Sequence, residues 1–276
     1  MRRNSSRFSP VSPALLPFLG LTSTVAIWWF VTVVLLPDVP LISDLTPAAT
    51  LNGFIGLIRS GTLIPDASAS MFRLVGGLFI AVGLGVGLGI IIGVNAAIDA
   101  ATRPILLFLR MVSPLSWAPL AIGVFGIGNS PVIALVATTA LWPIVLATSE
   151  GIGHIDSRLL VVARAFGATR VQVGYRVVWP SIRPRVLGGI RSAIGVAWVV
   201  LVPAEMFGVT SGLGYQILNS KDQLAYDRLG ALLVVIGTLG YCVDVLARWL
   251  LRTPRERREE SQSAHASYSD LQGVPS

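Results

Sequence analysis

The sequence predicts an all-α polytopic membrane protein with six transmembrane helices, and three observations carry that prediction. Several uncharged runs reach the ~20 residues that a helix needs to cross the hydrocarbon. Charged residues make up only 13% of the chain and mean hydropathy is +0.73; soluble domains carry about twice that charge. The basic residues, all arginine except Lys221, gather in clusters that alternate with the apolar runs, as topology signals do.

Taken in order, residues 1–13 are polar and carry Arg2, Arg3 and Arg7. Residues 14–36 hold no charge. That run is longer than a signal-peptide core and no A-x-A site follows, so a retained first span is expected. Residues 37–69 form a mixed segment expected outside. Within it, Thr46 as N-cap, Pro47 in the first turn and Gly61 beyond the end predict a short helix at the membrane surface. Residues 74–97 are the second span. Gly83, Gly85, Gly87, Gly89 and Gly93 pair at i, i+4, a spacing that lets helix backbones approach in lipid.

Residues 95–104 are expected to turn, with Asp99 and Arg103, and 105–125 to form a third span interrupted by Pro114 and Pro119. Broken helices often line a pathway. Trp117 and Pro119 are therefore candidate pathway or gating residues, and a packing kink explains them equally well. Residues 126–130 make a tight turn before a fourth span at 131–149. A fifth, at 186–207, encloses Arg191 and Glu205, and a sixth runs over 229–250. The other tryptophans, Trp28, Trp29, Trp142, Trp179, Trp198 and Trp249, are expected mostly as interfacial anchors. The polar tail, 252–276, is expected to be disordered.

Segment 150–185 stands apart, with Arg158, Arg164, Arg170, Arg176, Arg183 and Arg185. Burying them in the bilayer would cost roughly 15–20 kcal/mol at about 2.5–3.5 each, so the segment lies outside the hydrocarbon. Asp156 or Ser157 can cap a first short helix ended by Gly167. Thr169 and Gln172 form a capping box for a second, closed by Pro180. Val161, Val162, Phe166, Val171 and Val177 give the pair an apolar side. These features fit a docking element, and they fit a loop that only fixes topology beside anionic headgroups.

With six spans both termini share a side. That side takes the N-terminal arginines, Arg103 and Arg110, the central segment through Arg191, and the C-terminal cluster. The other side keeps Arg59, Arg73, Lys221 and Arg228. The imbalance places the termini and segment 150–185 in the cytoplasm. The net charge of +7 is thus a topology signal, and no nucleic-acid partner is expected. His154, His265 and the single Cys242 lie too far apart to suggest a metal site.

The spacing A-x-x-x-G-x9-[IV]-x-[LW]-P, read as Ala163, Gly167, Val177, Trp179 and Pro180, resembles the EAA loop of binding-protein-dependent ABC importer permeases. The stretches "RLVGGLFIAVGLGVGLGIIIG", "PLSWAPLAIGVFGIGNSP", "IRSAIGVAWVVLVPAEM" and "SGLGYQIL" resemble the branch that carries nitrate, sulfonate, taurine and bicarbonate. The similarity covers about residues 70–250. It implies a type I importer transmembrane domain over 70–251, with five helices and a coupling loop at about 150–185.

The resemblance further implies that Arg158, Ala163, Arg164, Ala165, Phe166, Gly167, Ala168, Val177 and Pro180 dock the coupling loop into a groove of an ATPase. Closure of two ATPases would then switch the spans between inward-facing and outward-facing. Gly167 would let the chain reverse without a Cβ clash, and a small Ala163 would let the helix sit close. The family usually has Glu at Val161 and Ala at Val162, so the acidic contact of that Glu is missing here.

No G-x-x-x-x-G-K-[ST] occurs, so ATP and Mg would belong to partner subunits and none would be bound by this chain. The implied partners are two cytoplasmic ATP-binding subunits, a second copy of the chain or a paralogue, an external solute-binding protein and membrane lipid. Without the resemblance two other classes stand. A secondary transporter or channel uncoupled from ATP would usually show more spans or an inverted repeat. An integral-membrane enzyme would need a nucleophile and base near Glu205. Glu205 would repel an anion in its path, so a structural or gating role paired with an arginine is expected. Asp244 and Arg248 are spaced for a helix-surface pair.

Overall fold

The structure, a computed structural model, describes residues 16–36 and 40–251. The expectations for 1–13 and 252–276 lie outside the described residues. All regular structure among the described residues is helical. Helix α1 is Leu16–Trp29, extended by a π-turn over Phe30–Leu35. Helix α2 is Pro47–Arg59; Thr46 accepts from Ala49 N at 3.3 Å, and Gly61 leaves with φ +70°. The sequence signals for this helix and its end are thus realised at the expected residues.

Helix α3, Leu63–Val94, is eleven residues longer at its start than the expected second span. Its first turns carry Asp66, Ser70 and Arg73, which hydropathy excludes from a span but which α3 buries. The expected turn at 95–104 is also helix. Asn95 caps the next element by accepting from Ala97 N at 2.9 Å, and α4 runs Ala96–Met111 with Pro104 inside. A 3-10 turn, Pro114–Trp117, then leads to α5, Ala118–Phe125, bent 87° from α4. The break falls before Pro114. Pro119 does not interrupt a helix; it sits in the first turn of α5, where no N–H is needed.

Helix α6 is Asn129–Gly153, and α7 is Ser157–Ala165. From Arg170 the chain is helical without a stop, through a π-turn at Gly174–Val178 into α8, Trp179–Gly208. Pro180 therefore does not close a short helix. It occupies the first turn of α8, a position that suits its fixed φ. Helix α9, Leu213–Asp222, and α10, Tyr226–Leu250, are the last of the described helices. Among the described residues, five helices are long and apolar enough to span a membrane, and there are six if the bent pair of α4 and α5 counts as one span.

The chain divides into two compact units. The first joins Met1–Leu63 to Gln216–Val235. There Trp28 Nε1 donates to the Leu45 carbonyl at 3.1 Å. Gly53 lies against the Asp227 backbone, where a Cβ would collide. The second joins Ile64–Tyr215 to Ile236–Ser276. Its core is built on α6 and α8, with Val132, Val136, Ala140, Ile144, Ala197 and Leu201 buried.

Helix α3 joins that core through a row of small residues one turn apart: Gly77, Ala81, Gly85, Gly89 and Gly93. A Cβ on Gly85 would stand 2.9 Å from Ile144 Cγ2, and one on Gly93 2.9 Å from Ile152 Cβ. Close approach is thus what these glycines provide. Gly83 and Gly87 do not take part; a Cβ there meets nothing. Trp198 of α8 packs over Gly240 of α10.

Candidate functional site

Three places in the second unit gather chemistry. The first is the elbow of segment 150–185. Asp156 Oδ1 accepts from Arg158 N at 2.9 Å and starts α7. The helix ends in a Schellman motif: Gly167 N donates to the Arg164 carbonyl at 2.9 Å, and Ala168 N to the Ala163 carbonyl at 3.1 Å. Closing both bonds puts Gly167 at φ +74°, a conformation that costs other residues roughly 1–2 kcal/mol. Thr169 and Gln172 then form the capping box, each side chain bonded to the other's backbone N–H.

Around this elbow the apolar side chains find no cover. Phe166 is 86% exposed and Val171 81%; Leu159, Val161 and Val162 are exposed as well, and Val177 is half-buried. Arg158, Arg164, Ala165 and Pro180 are also exposed, while Ala163 and Ala168 are partly covered.

The second place is built around Glu205, near the end of α8. Glu205 Oε1 lies 2.6 Å from Arg73 Nη1, and its Oε2 accepts from Ser70 Oγ at 2.8 Å and Gly214 N at 3.0 Å. Arg73 is satisfied on every nitrogen. Nε donates to Asn129 Oδ1 at 2.8 Å, Nη1 also to the Ser211 carbonyl at 2.8 Å, and Nη2 to Ser211 Oγ at 2.7 Å. Asp66 Oδ1 accepts from Gly212 N at 2.8 Å, and Ser70 Oγ from Leu213 N at 3.0 Å. Arg73 and Glu205 are 1% and 0% exposed.

Such a pair survives burial because the surrounding donors and acceptors replace water. The loop 209–214 is thereby tied to α3, α6 and α8. Its glycines are required: a Cβ on Gly212 (φ +106°) would lie 2.5 Å from Arg73 Nη1, and one on Gly214 2.7 Å from Glu205 Cβ. Glu205 faces this cluster.

The third place is a cavity of about 160 Å³ at the break between α4 and α5. Arg110, Pro114 and Trp117 line it from the break, and Thr138, Thr139 and Trp142 from α6. These α6 residues lie about 14–20 Å from Asn129 at 1.5 Å per residue, near the middle of the 25-residue helix. Two sequence expectations are corrected here. Trp142 stands at mid-helix and is no interfacial anchor, and Arg110, counted on the cytoplasmic side in the charge balance, lines this cavity beside the middle of α6. Placing a guanidinium at that depth costs about 2.5–3.5 kcal/mol on the insertion scale unless it meets water or a partner. No ion pair or hydrogen bond of Arg110 occurs among the described residues.

Sequence reasoning singled out Glu205, Trp117 and the elbow. It missed Ser70 and Arg73 as partners of Glu205, Asn129 and Ser211 as partners of Arg73, Asp66 as a tie to Gly212, and Arg110 as a cavity residue. A signal existed for Arg73 and Arg110: each is a charge inside or beside an apolar run. Contacts 132 positions apart leave no local trace. The surface pairs Asp99–Arg103, 3.3 Å, and Asp244–Arg248 are ordinary i, i+4 neighbours.

Residues 85–256 match the family profile described as binding-protein-dependent transport system inner membrane component. The chain belongs to that family. It is 30% identical over 233 residues to the taurine transport system permease protein TauC of Escherichia coli, covering 82% of this chain and 83% of TauC. It is 31% identical over 186 residues to the bicarbonate transport system permease protein CmpB of Synechococcus elongatus, covering 67% and 66%. Among solved structures, its fold is similar to a bacterial alginate ABC transporter crystallised with an alginate-bound periplasmic protein. The TM-score there is 0.61 at 15% identity, over 87% of this chain and 96% of the other. This permease is therefore a multi-pass membrane subunit of an ABC importer, with the type I transmembrane fold.

Proposed function

We propose that the permease carries a small anion inward, driven by two separate cytoplasmic ATP-binding subunits that grip the elbow at Gly167. The observation that carries this reading is the uncovered apolar row formed by Val162, Phe166 and Val171. Side chains of this size, held outward by two capped helix ends, lose favourable burial until a partner groove covers them. The six arginines of the segment keep it out of the hydrocarbon, so that groove belongs to a water-soluble partner on the cytoplasmic face, together with both termini. ATP and Mg act in those subunits. Two copies of this chain, or one and a paralogue, enclose the path, and an external binding protein delivers the solute.

The substrate class follows from the relatives, whose names include sulfonate, taurine and bicarbonate permeases. The alginate neighbour supports the external partner, since it was crystallised with its periplasmic protein. With no acidic residue at Val161, the grip is expected to rest on apolar burial and on Arg158 or Arg164.

The test is to purify the tagged chain from its native membrane with and without Phe166→Asp. An ATP-hydrolysing subunit should accompany the unaltered chain, and the variant should insert normally but arrive without it. Equal recovery of ATPase would overturn the docking reading. Uptake of taurine, ethanesulfonate and bicarbonate into proteoliposomes, with ethanolamine as a cationic control, then tests the substrate class.

A further inference from the structure

The cavity at the broken span has no part in the coupling elbow or the Glu205 cluster. We propose that it is an anion-holding site on the translocation path, with Arg110 as its cationic pole and Trp117 and Trp142 as its walls. This rests on the transport reading above and deepens it by locating a contact for the solute.

Four observations converge. The lining includes a guanidinium and no Asp or Glu. Arg110 has no protein partner among the described residues, so its donors are free for a ligand. The indole N–H groups of Trp117 and Trp142 likewise have no partner there. The hydroxyls of Thr138 and Thr139 donate to the carbonyls of Ala134 and Leu135, at 2.8 and 2.7 Å, so guanidinium and indole N–H are the donors left to the cavity. A planar fork of N–H groups matches a carboxylate-like or sulfonate-like oxygen pair. The volume is below that of a drug-sized pocket, which runs about 300–1,000 Å³, and suits a small solute.

Position supports a transport role. Discontinuous helices place binding sites near mid-membrane, where irregular backbone is tolerated if it lines a cavity. An ionisable side chain within a spanning segment is a candidate contact for the transported solute. One such cation attracts an anion strongly in a low-dielectric site and releases it when the walls part, whereas a fully bonded charge such as Arg73 is already spent on its own protein.

Tryptophan emission tests the site in the assembled complex in nanodiscs. The probe is iodide, an anionic quencher, with uncharged acrylamide as control. The emission lost in Trp142→Phe reports on the cavity wall. Iodide should quench that component roughly threefold more steeply in the unaltered protein than in Arg110→Gln, with acrylamide quenching the same in both. Arg110→Lys should fall between them. Equal iodide quenching, as expected if Arg110 reaches headgroups or pairs with an acid of a second copy, overturns the proposal. So does a parallel change with acrylamide, which would report altered access. Uptake separates the two readings: if iodide behaves as expected but none of the three solutes is transported, the substrate class fails and the site stands. If taurine, ethanesulfonate or bicarbonate is transported, its uptake should drop about tenfold in Arg110→Gln, and unchanged uptake overturns the site.

Discussion

The Glu205 cluster and the Gly167 elbow are opposites. One buries an ion pair and bonds every nitrogen of Arg73 within the chain. The other exposes Phe166, Val171 and Val162 and covers them with nothing. Each would be costly in the wrong setting: an unpaired charge inside, or an apolar row in water. The difference teaches how to assign roles in this permease. Where the chain satisfies its own groups, the role is closed within the fold and is structural. Where it leaves groups unsatisfied, a partner or ligand is needed to complete the role, and the two proposals above assign a protein groove to Phe166 and a solute to Arg110.

The sharpest way to break the comparison is at the elbow. Gly167→Val forces a β-branched residue to φ +74°. ATP-linked uptake should be abolished while membrane insertion, followed by fractionation, stays normal; uptake at the ordinary rate would remove the docking role. Next is the cluster. Glu205→Ala leaves Arg73 buried without its counter-charge and should destabilise the second unit by about 3–5 kcal/mol, read as a fall in unfolding temperature in detergent. The double variant Arg73→Met with Glu205→Leu should recover much of that loss, because removing both charges removes the desolvation burden. If instead it were as damaged as the single variant, the cluster would be more than structural.

Smaller effects sharpen the picture of close approach. Gly85→Val should cost roughly 1–3 kcal/mol by overpacking against Ile144, whereas Gly83→Val, facing open space, should change the unfolding temperature little. Smallest is Thr169→Ala. It removes one half of the capping box and should loosen the start of the second elbow helix by ~1 kcal/mol, visible as faster amide exchange over 170–173.

Much of this was legible in the sequence. The capping residues Asp156, Thr169 and Gln172 and the helix-ending Gly61 and Gly167 act within a few positions of themselves, so spacing reveals them. Element ends failed where hydropathy was the only guide. Polar Asp66, Ser70 and Arg73 hid the first turns of α3, because their partners come from α6, α8 and the 209–214 loop. Pro180 reads as a terminator because proline lacks an N–H, yet the same property suits the first turn of α8.

By itself the sequence determined the membrane class, the topology signals and the elbow, because hydropathy, positive charge and capping are local properties of consecutive residues. Only the tertiary structure decided that Glu205 is spent on Arg73, which glycines touch α6, and that Arg110 faces a cavity. Those outcomes depend on which residues distant in the chain meet, and burial fixes their value only after they do.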